Sequence, residues 1–161
     1  MTPDILHWLR TIVLPLRTSH GDVFEVGALN VNGSARDILG AACNSWIGCD
    51  RVAGPGVDEI GIAADVVGNR KFDTVVACEC YEHDPRFWET SAAVRAALKP
   101  QGLYVVTSPT IGFPFHDYGG DFYRFTEMAL TRFFFDGMTV LDVRTVGAPG
   151  NQCVVGVAFH H

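Results

Sequence analysis

Residues 22–36, DVFEVGALNVNGSAR, constrain the fold more than any other stretch of the chain. The apolar positions Val23, Phe24 and Val26 suffice for one buried strand. They run into Gly27, Asn30, Asn32 and Gly33, residue types that tolerate positive φ. Ser34 can then N-cap a helix reaching about Cys43. A strand, a turn and a helix in that order can hold a ligand between the turn and the helix N-terminus. The turn does not fit G-x-G-x-x-G, because Leu29 and Asn32 stand where the second and third glycines belong. Glu25 is unexpected in a strand buried on both faces. A carboxylate there can accept hydrogen bonds from loop amides or from a cationic ligand, whereas it would repel a pyrophosphate. An ordinary βα turn accounts for the same residues without any ligand.

The 161 residues, 48% hydrophobic and 19% charged, suit one globular domain over 1–161 with a sizeable core. A formal net charge of -6, with basic residues scattered rather than striped, disfavours a nucleic-acid partner. No apolar run approaches membrane-spanning length and no signal-peptide succession opens the chain, so a cytoplasmic protein without a membrane partner is expected. Five cysteines, mostly within apolar runs, read as reduced core thiols. Cys78, Cys80 and His83 offer too few ligands at an unfamiliar spacing, so no metal site is expected.

Taken in order, residues 4–14 place Ile5, Leu6, Trp8, Leu9, Ile12 and Val13 on one helical face, stopped by Pro15. This N-terminal segment, residues 1–20, is expected to pack on the sheet or cap a site. Residues 46–50 read as a second strand ending in Asp50, 17 residues beyond Gly33. That spacing suits a carboxylate accepting both hydroxyls of a ribose, although a solvated strand end has the same composition. Residues 57–62 suit a third strand. Asp65 can accept from an adenine amino group with the amide of Val66 serving a ring nitrogen, or can be a plain loop or helix-cap residue. Residues 72–79, FDTVVACE, are the clearest buried strand, and the polar run from Glu79 to His83 falls where doubly wound sheets do chemistry. A helix from about Pro85 to Leu98, a fifth strand over 103–109, a helix capped by Thr126 and two hairpin-like strands over 140–146 and 153–159 follow. Between them, residues 110–123 form a polar-aromatic loop suited to a pocket wall.

These signals together resemble a class I S-adenosylmethionine-dependent methyltransferase of the small methyltransferase type 11 kind. EVGALNVNG at 25–33 resembles the E-x-G-x-x-x-x-N-G cofactor loop, and FDTVVACECYEH at 72–83 resembles the fourth-strand motif ending in Glu-His. LKPQGLY at 98–104 resembles the lead into strand five, and DFYRFT at 121–126 the D-Y-W-R-F-T signature. The resemblance implies a Rossmann-like, doubly wound α/β fold: a mostly parallel seven-stranded sheet with an antiparallel last strand. The short segment between strands two and four implies a wrapping helix reduced to a turn or lost.

The cofactor implied is S-adenosyl-L-methionine. Glu25, Gly27, Ala28, Asn30, Asn32 and Gly33 would surround its methionine portion, Asp50 its ribose, and Asp65 and Val66 its adenine. Glu79 and Cys80 would line the mouth near the sulfonium. Methyl transfer to an oxygen or nitrogen of a small-molecule or glycan acceptor would proceed by in-line displacement, where alignment and exclusion of water dominate. His83 and His116 are candidate bases for a hydroxyl acceptor, or structural histidines. Tyr118, Tyr123 and Arg124 would shape the acceptor pocket, unless Tyr123 and Arg124 pin the loop to the sheet. Two other readings stand beside this one. A non-catalytic module binding the cofactor or a partner would share the same motifs. A nicotinamide-dependent oxidoreductase is disfavoured by Glu25 and by the missing glycine fingerprint. The sequence leaves the oligomeric state open.

Overall fold

The computed structural model describes residues 1–117 and 119–161. Seven strands, β1 (Gly21–Val26), β2 (Cys43–Asp50), β3 (Glu59–Ile60), β4 (Phe72–Cys78), β5 (Leu98–Pro109), β6 (Thr139–Val146) and β7 (Cys153–Phe159), form one sheet in the order β3-β2-β1-β4-β5-β7-β6. β1 to β5 pair in parallel, and β7 runs antiparallel to both β5 and β6. This is the expected doubly wound α/β sheet with its last strand reversed.

The helices are short: α1 (Pro3–Trp8), α2 (Arg36–Leu39), α3 (Ala63–Val67), α4 (Phe87–Ala96) and α5 (Glu127–Ala129). Consecutive residues of a buried strand face opposite ways, so each apolar strand feeds two cores. Phe24, Val75, Tyr104 and Val106 pack with Val67 of α3 and Val94 of α4 on one face. Val23, Val76, Leu103 and Val105 pack with Ile5 and Trp8 of α1 and Leu39 of α2 on the other. Thr2 caps α1, accepting from the Ile5 amide at 3.4 Å, and Pro3 takes the first turn, where its missing N–H leaves nothing unsatisfied. A π turn over Leu9–Val13 and a 3-10 turn over Leu14–Leu16, which contains Pro15, carry the segment on. Trp8 also donates its indole N–H to Asp142 of β6 at 2.8 Å, fastening the N-terminal segment across the sheet. No described helix is long and apolar enough to cross a membrane.

Several boundaries differ from the sequence expectation. Ser34 accepts from the Arg36 amide at 3.0 Å, but the helix it introduces is a single α-turn followed by a 3-10 turn over Gly40–Ala42. β2 therefore starts at Cys43. The third strand shrinks to two residues because Val57 is held in the turn at Gly54, its amide donating to Gly54 O at 3.1 Å, and Ile62 already caps α3. α3, at five residues, is the reduced wrapping helix. β5 begins at Leu98, where Gln101 at φ 64 and a register break against β4 absorb Pro100 as a bulge.

Candidate functional site

A cleft of about 960 Å³ opens over the carboxyl ends of β1, β2 and β4. In this sheet order the chain leaves β1 on one side toward β2 and reaches β4 on the other, which is where doubly wound folds hold ligands. Glu25, Gly27, Ala28, Asn30, Asn32 and Gly33 all line the cleft. Gly27 sits at φ +70, and a Cβ there would lie 2.4 Å from the Cβ of Cys80, so only glycine lets the two loops meet. The amides of Gly27 and Ala28 both donate to Cys49 O, at 2.9 and 3.0 Å, which curls the loop toward β2. Asn30 Oδ1 accepts from the Gly33 amide at 2.9 Å, and Asn32 Oδ1 accepts from the N-terminal amino group of Met1. Met1, Thr2 and Pro3 thereby join the wall.

Three carboxylates define the polar side of the cleft, each oriented by donors from a neighbouring element. Glu25, 4% exposed, accepts from the Trp46 indole N–H at 2.9 Å. Burial raises its pKa to about 7, with the Trp46 hydrogen bond and the Arg36 charge opposing. Asp50 accepts from the Leu29 amide through one oxygen and from the Val52 amide through the other, both at 3.1 Å. Its orientation is set while each oxygen keeps a lone pair for a further donor. Glu79 takes φ 53, turning the chain out of β4, and accepts from the Thr107 hydroxyl at 3.1 Å and the Cys153 thiol at 3.5 Å. Burial, with the Glu82 carboxylate next, raises Glu79 to about 8.

Asp65 also lines the cleft, from the first turn of α3. Val66 does not fit the role expected of it. Its amide donates to Ile62 O at 3.0 Å within the helix and its side chain packs against the core, so it has no free N–H for a ring nitrogen. Cys80 lines the cleft, and burial raises its thiol well above the ordinary range. All five cysteines are unpaired.

His83 and His116 also line the cleft, with ring centroids 4.9 Å apart. His83 Nδ1 meets Gly120 O. His116 Nδ1 lies 3.3 Å from Pro114 O and 3.5 Å from Asp121 Oδ2. Between the rings is Glu82, fully buried, whose Oε2 accepts from the Ser108 hydroxyl at 3.0 Å. Its Oε1 lies 3.7 Å from His83 Nε2 and 3.9 Å from His116 Nε2. These distances are electrostatic contacts rather than hydrogen bonds. The Glu82 carboxylate is the main influence raising the His116 pKa.

Tyr123 and Arg124 do not line this cleft; their contacts are with the loop and with α4. Arg124 clamps Asp121 through both guanidinium nitrogens, at 2.5 and 2.7 Å, and donates to Pro114 O and Phe113 O. That clamp holds the Asp121 carboxyl far below the usual carboxylate range. Tyr123 donates to Pro85 O at 3.1 Å and meets the Phe87 ring edge to face. Both residues pin the loop that carries His116. Tyr118 lies outside the described residues. Glu82, Trp46, Thr107, Ser108 and Cys153 complete the site without a distinct mark in the sequence. Polar Thr107 and Ser108 closing an otherwise apolar strand, and Glu82 preceding His83, were the available signals.

Sheet order, a single reversed strand and the cleft at the switch point define the class I S-adenosylmethionine-dependent methyltransferase fold. Burkholderia thailandensis 1,6-didemethyltoxoflavin-N1-methyltransferase, solved with 1,6-didemethyltoxoflavin and S-adenosylhomocysteine bound, superposes with a TM-score of 0.76 at 18% identity, over 96% of this chain and 77% of that one. The N-methyltransferase NodS of Bradyrhizobium japonicum WM9, with S-adenosyl-L-homocysteine, gives 0.71 at 14% identity over 96% and 83%. A candidate S-adenosylmethionine-dependent methyltransferase from Listeria monocytogenes gives 0.68 at 12% identity over 98% and 99%. No family model matches the sequence. No curated protein does either.

Proposed function

We propose that this chain is a cytoplasmic enzyme that transfers a methyl group from S-adenosyl-L-methionine to an oxygen or nitrogen of a small-molecule or glycan acceptor. The observation carrying the reading is the set of Glu25, Asp50 and Glu79 around one cleft at the switch point, each carboxylate held by donors that leave acceptor capacity free. This arrangement suits a ligand with a cationic amino-acid end and a ribose diol, and is hostile to a pyrophosphate. The solved neighbours that hold S-adenosylhomocysteine support the same cofactor.

In this assignment the loop from Gly27 to Gly33 takes the methionine portion, with Glu25 facing its ammonium. Asp50 takes the ribose hydroxyls, and Asp65 the adenine amino group. Glu79 and Cys80 border the sulfonium. The methyl group passes in line from sulfur to the acceptor atom, and the enzyme's contribution is alignment in a site shielded by the loop after β5. For a hydroxyl acceptor, His83 and His116, both in the cleft lining, are the candidate bases that would take the proton.

The test is a thermal-shift panel of adenine-containing cofactors, since a ligand that binds only the folded state raises apparent stability by mass action. S-adenosylmethionine and S-adenosylhomocysteine should raise Tm while nicotinamide dinucleotides leave it unchanged. The reverse order would establish the oxidoreductase reading. Binding without turnover across an acceptor library would favour a non-catalytic module.

A further inference from the structure

We infer that Glu82, His83 and His116 form a binding site for one divalent transition-metal ion, of the kind that takes imidazole and carboxylate together. Glu82 Oε1 and one nitrogen from each ring lie within 4.8 Å of one another. The two Nε2 atoms are 3.7 and 3.9 Å from that oxygen. Ligand atoms around a four-coordinate zinc sit roughly 3.3 Å apart when the bonds are about 2.0 Å, so the two oxygen–nitrogen edges need to close by about half an ångström, and rotation of the two rings toward each other closes the nitrogen–nitrogen edge from within 4.8 Å.

The tautomers point the same way. His83 Nδ1 meets the carbonyl of Gly120, and His116 Nδ1 meets the carbonyl of Pro114 and the Asp121 carboxylate. Each of these partners can only accept, so each Nδ1 carries a hydrogen, and in the neutral form of either ring it is the Nε2 lone pair, on the side of Glu82, that a metal would take. Histidines that hold metals are oriented in this way, with the far nitrogen tied to a carbonyl or carboxylate. Arg124 fixes Asp121 in turn, giving the support a second layer.

The third observation is the orphaned oxygen. Glu82 is fully buried, Ser108 satisfies Oε2, and Oε1 has no hydrogen-bond partner among the described residues. A buried carboxylate oxygen therefore faces two imidazole nitrogens without a hydrogen bond among the described residues, an arrangement that is costly in a low-dielectric interior. A proton on one ring would satisfy part of it, whereas a cation between the three satisfies all of it. Two imidazoles and one carboxylate suit zinc, cobalt, nickel or ferrous iron rather than magnesium or calcium. His83 and His116 line the cleft while Glu82 lies behind them, so the remaining coordination position opens toward the acceptor end.

The site is a property of these three side chains, so it can be tested without methyl transfer. The full chain is stripped with a chelator, desalted, and titrated with Zn²⁺ by calorimetry and with Co²⁺ by visible absorption. One equivalent should bind, with cobalt bands of a low-coordinate site. His116→Ala and Glu82→Gln should each weaken uptake tenfold or more, His116→Ala being the variant at the more exposed ring. His160→Ala/His161→Ala, which removes the other adjacent histidine pair, should leave uptake intact. The inference is overturned by an absence of saturable uptake, by uptake insensitive to both His116→Ala and Glu82→Gln, or by loss of uptake in the terminal double variant. Because the cofactor thermal shift is read separately, failure of the metal site and failure of the methyltransferase reading are distinguishable.

Discussion

Glu25 is the place where stability and the cofactor recognition proposed above meet, and Glu25→Gln separates them. Burial raises this carboxyl from its ordinary 4.5 to about 7, so the folded protein binds a proton more tightly than the unfolded chain does. The stability this gives is fully present below the unfolded value and is lost as pH rises through the folded one. Relative to a carboxyl with the same pKa in both states, the loss grows from about 1 kcal/mol at pH 5 to about 3 kcal/mol at pH 8, accumulating at roughly 1.4 kcal/mol for each pH unit between the two values. Glutamine keeps the shape, carries no charge, and still offers Trp46 an oxygen to replace the 2.9 Å hydrogen bond. Urea melts from pH 5 to 8.5, followed by tryptophan fluorescence, should show the variant gaining on the parent by about 2 kcal/mol across that range. Other titrating groups, Glu79 among them, contribute to both proteins and cancel in the difference. A stability difference that stays flat with pH would refute the reasoning, since it would mean that Glu25 holds the same charge in both states. The variant should at the same time bind S-adenosylmethionine more weakly at pH 8, where the parent's carboxylate is ionised.

Asp50→Ala should weaken S-adenosylmethionine binding by about 2 kcal/mol through loss of charge-assisted ribose hydrogen bonds. Calorimetry finding unchanged affinity in a folded variant would remove the ribose assignment. Gly27→Ala forces a side chain into φ +70 and places its Cβ 2.4 Å from that of Cys80. It should cost on the order of 2 kcal/mol in chemical denaturation, with part recovered in Gly27→Ala/Cys80→Gly, and an unchanged midpoint would contradict the close approach. All five cysteines should alkylate in denaturant without reductant, and a lower intact-mass increment would reveal a disulfide that the structure lacks.

Much of the architecture was written in local pattern. Apolar runs such as 72–78 are long enough for a strand and have no polar face to expose, so they must be buried on both sides. Gly27 announces a turn because few other residues adopt its backbone. Asp50 is readable for a similar reason: the length of a βα unit places the end of the second strand beside the first turn. Element ends were less legible, because they depend on competition between partners. Residues 57–62 have strand composition, yet only Glu59 and Ile60 find a ladder, since the turn at Gly54 holds Val57 and the start of α3 claims Ile62. Val66 looked available until the helix took its amide. Arg124, which resembled a pocket residue, is consumed by Asp121 three positions away. What only the tertiary structure decided is convergence. Glu82 and His83 leave β4, and His116 follows β5 by a loop folded back over it. No spacing along the chain encodes that one carboxylate and two imidazoles come within 4.8 Å of one another, because pairing of the strands and the path of the loop set that distance.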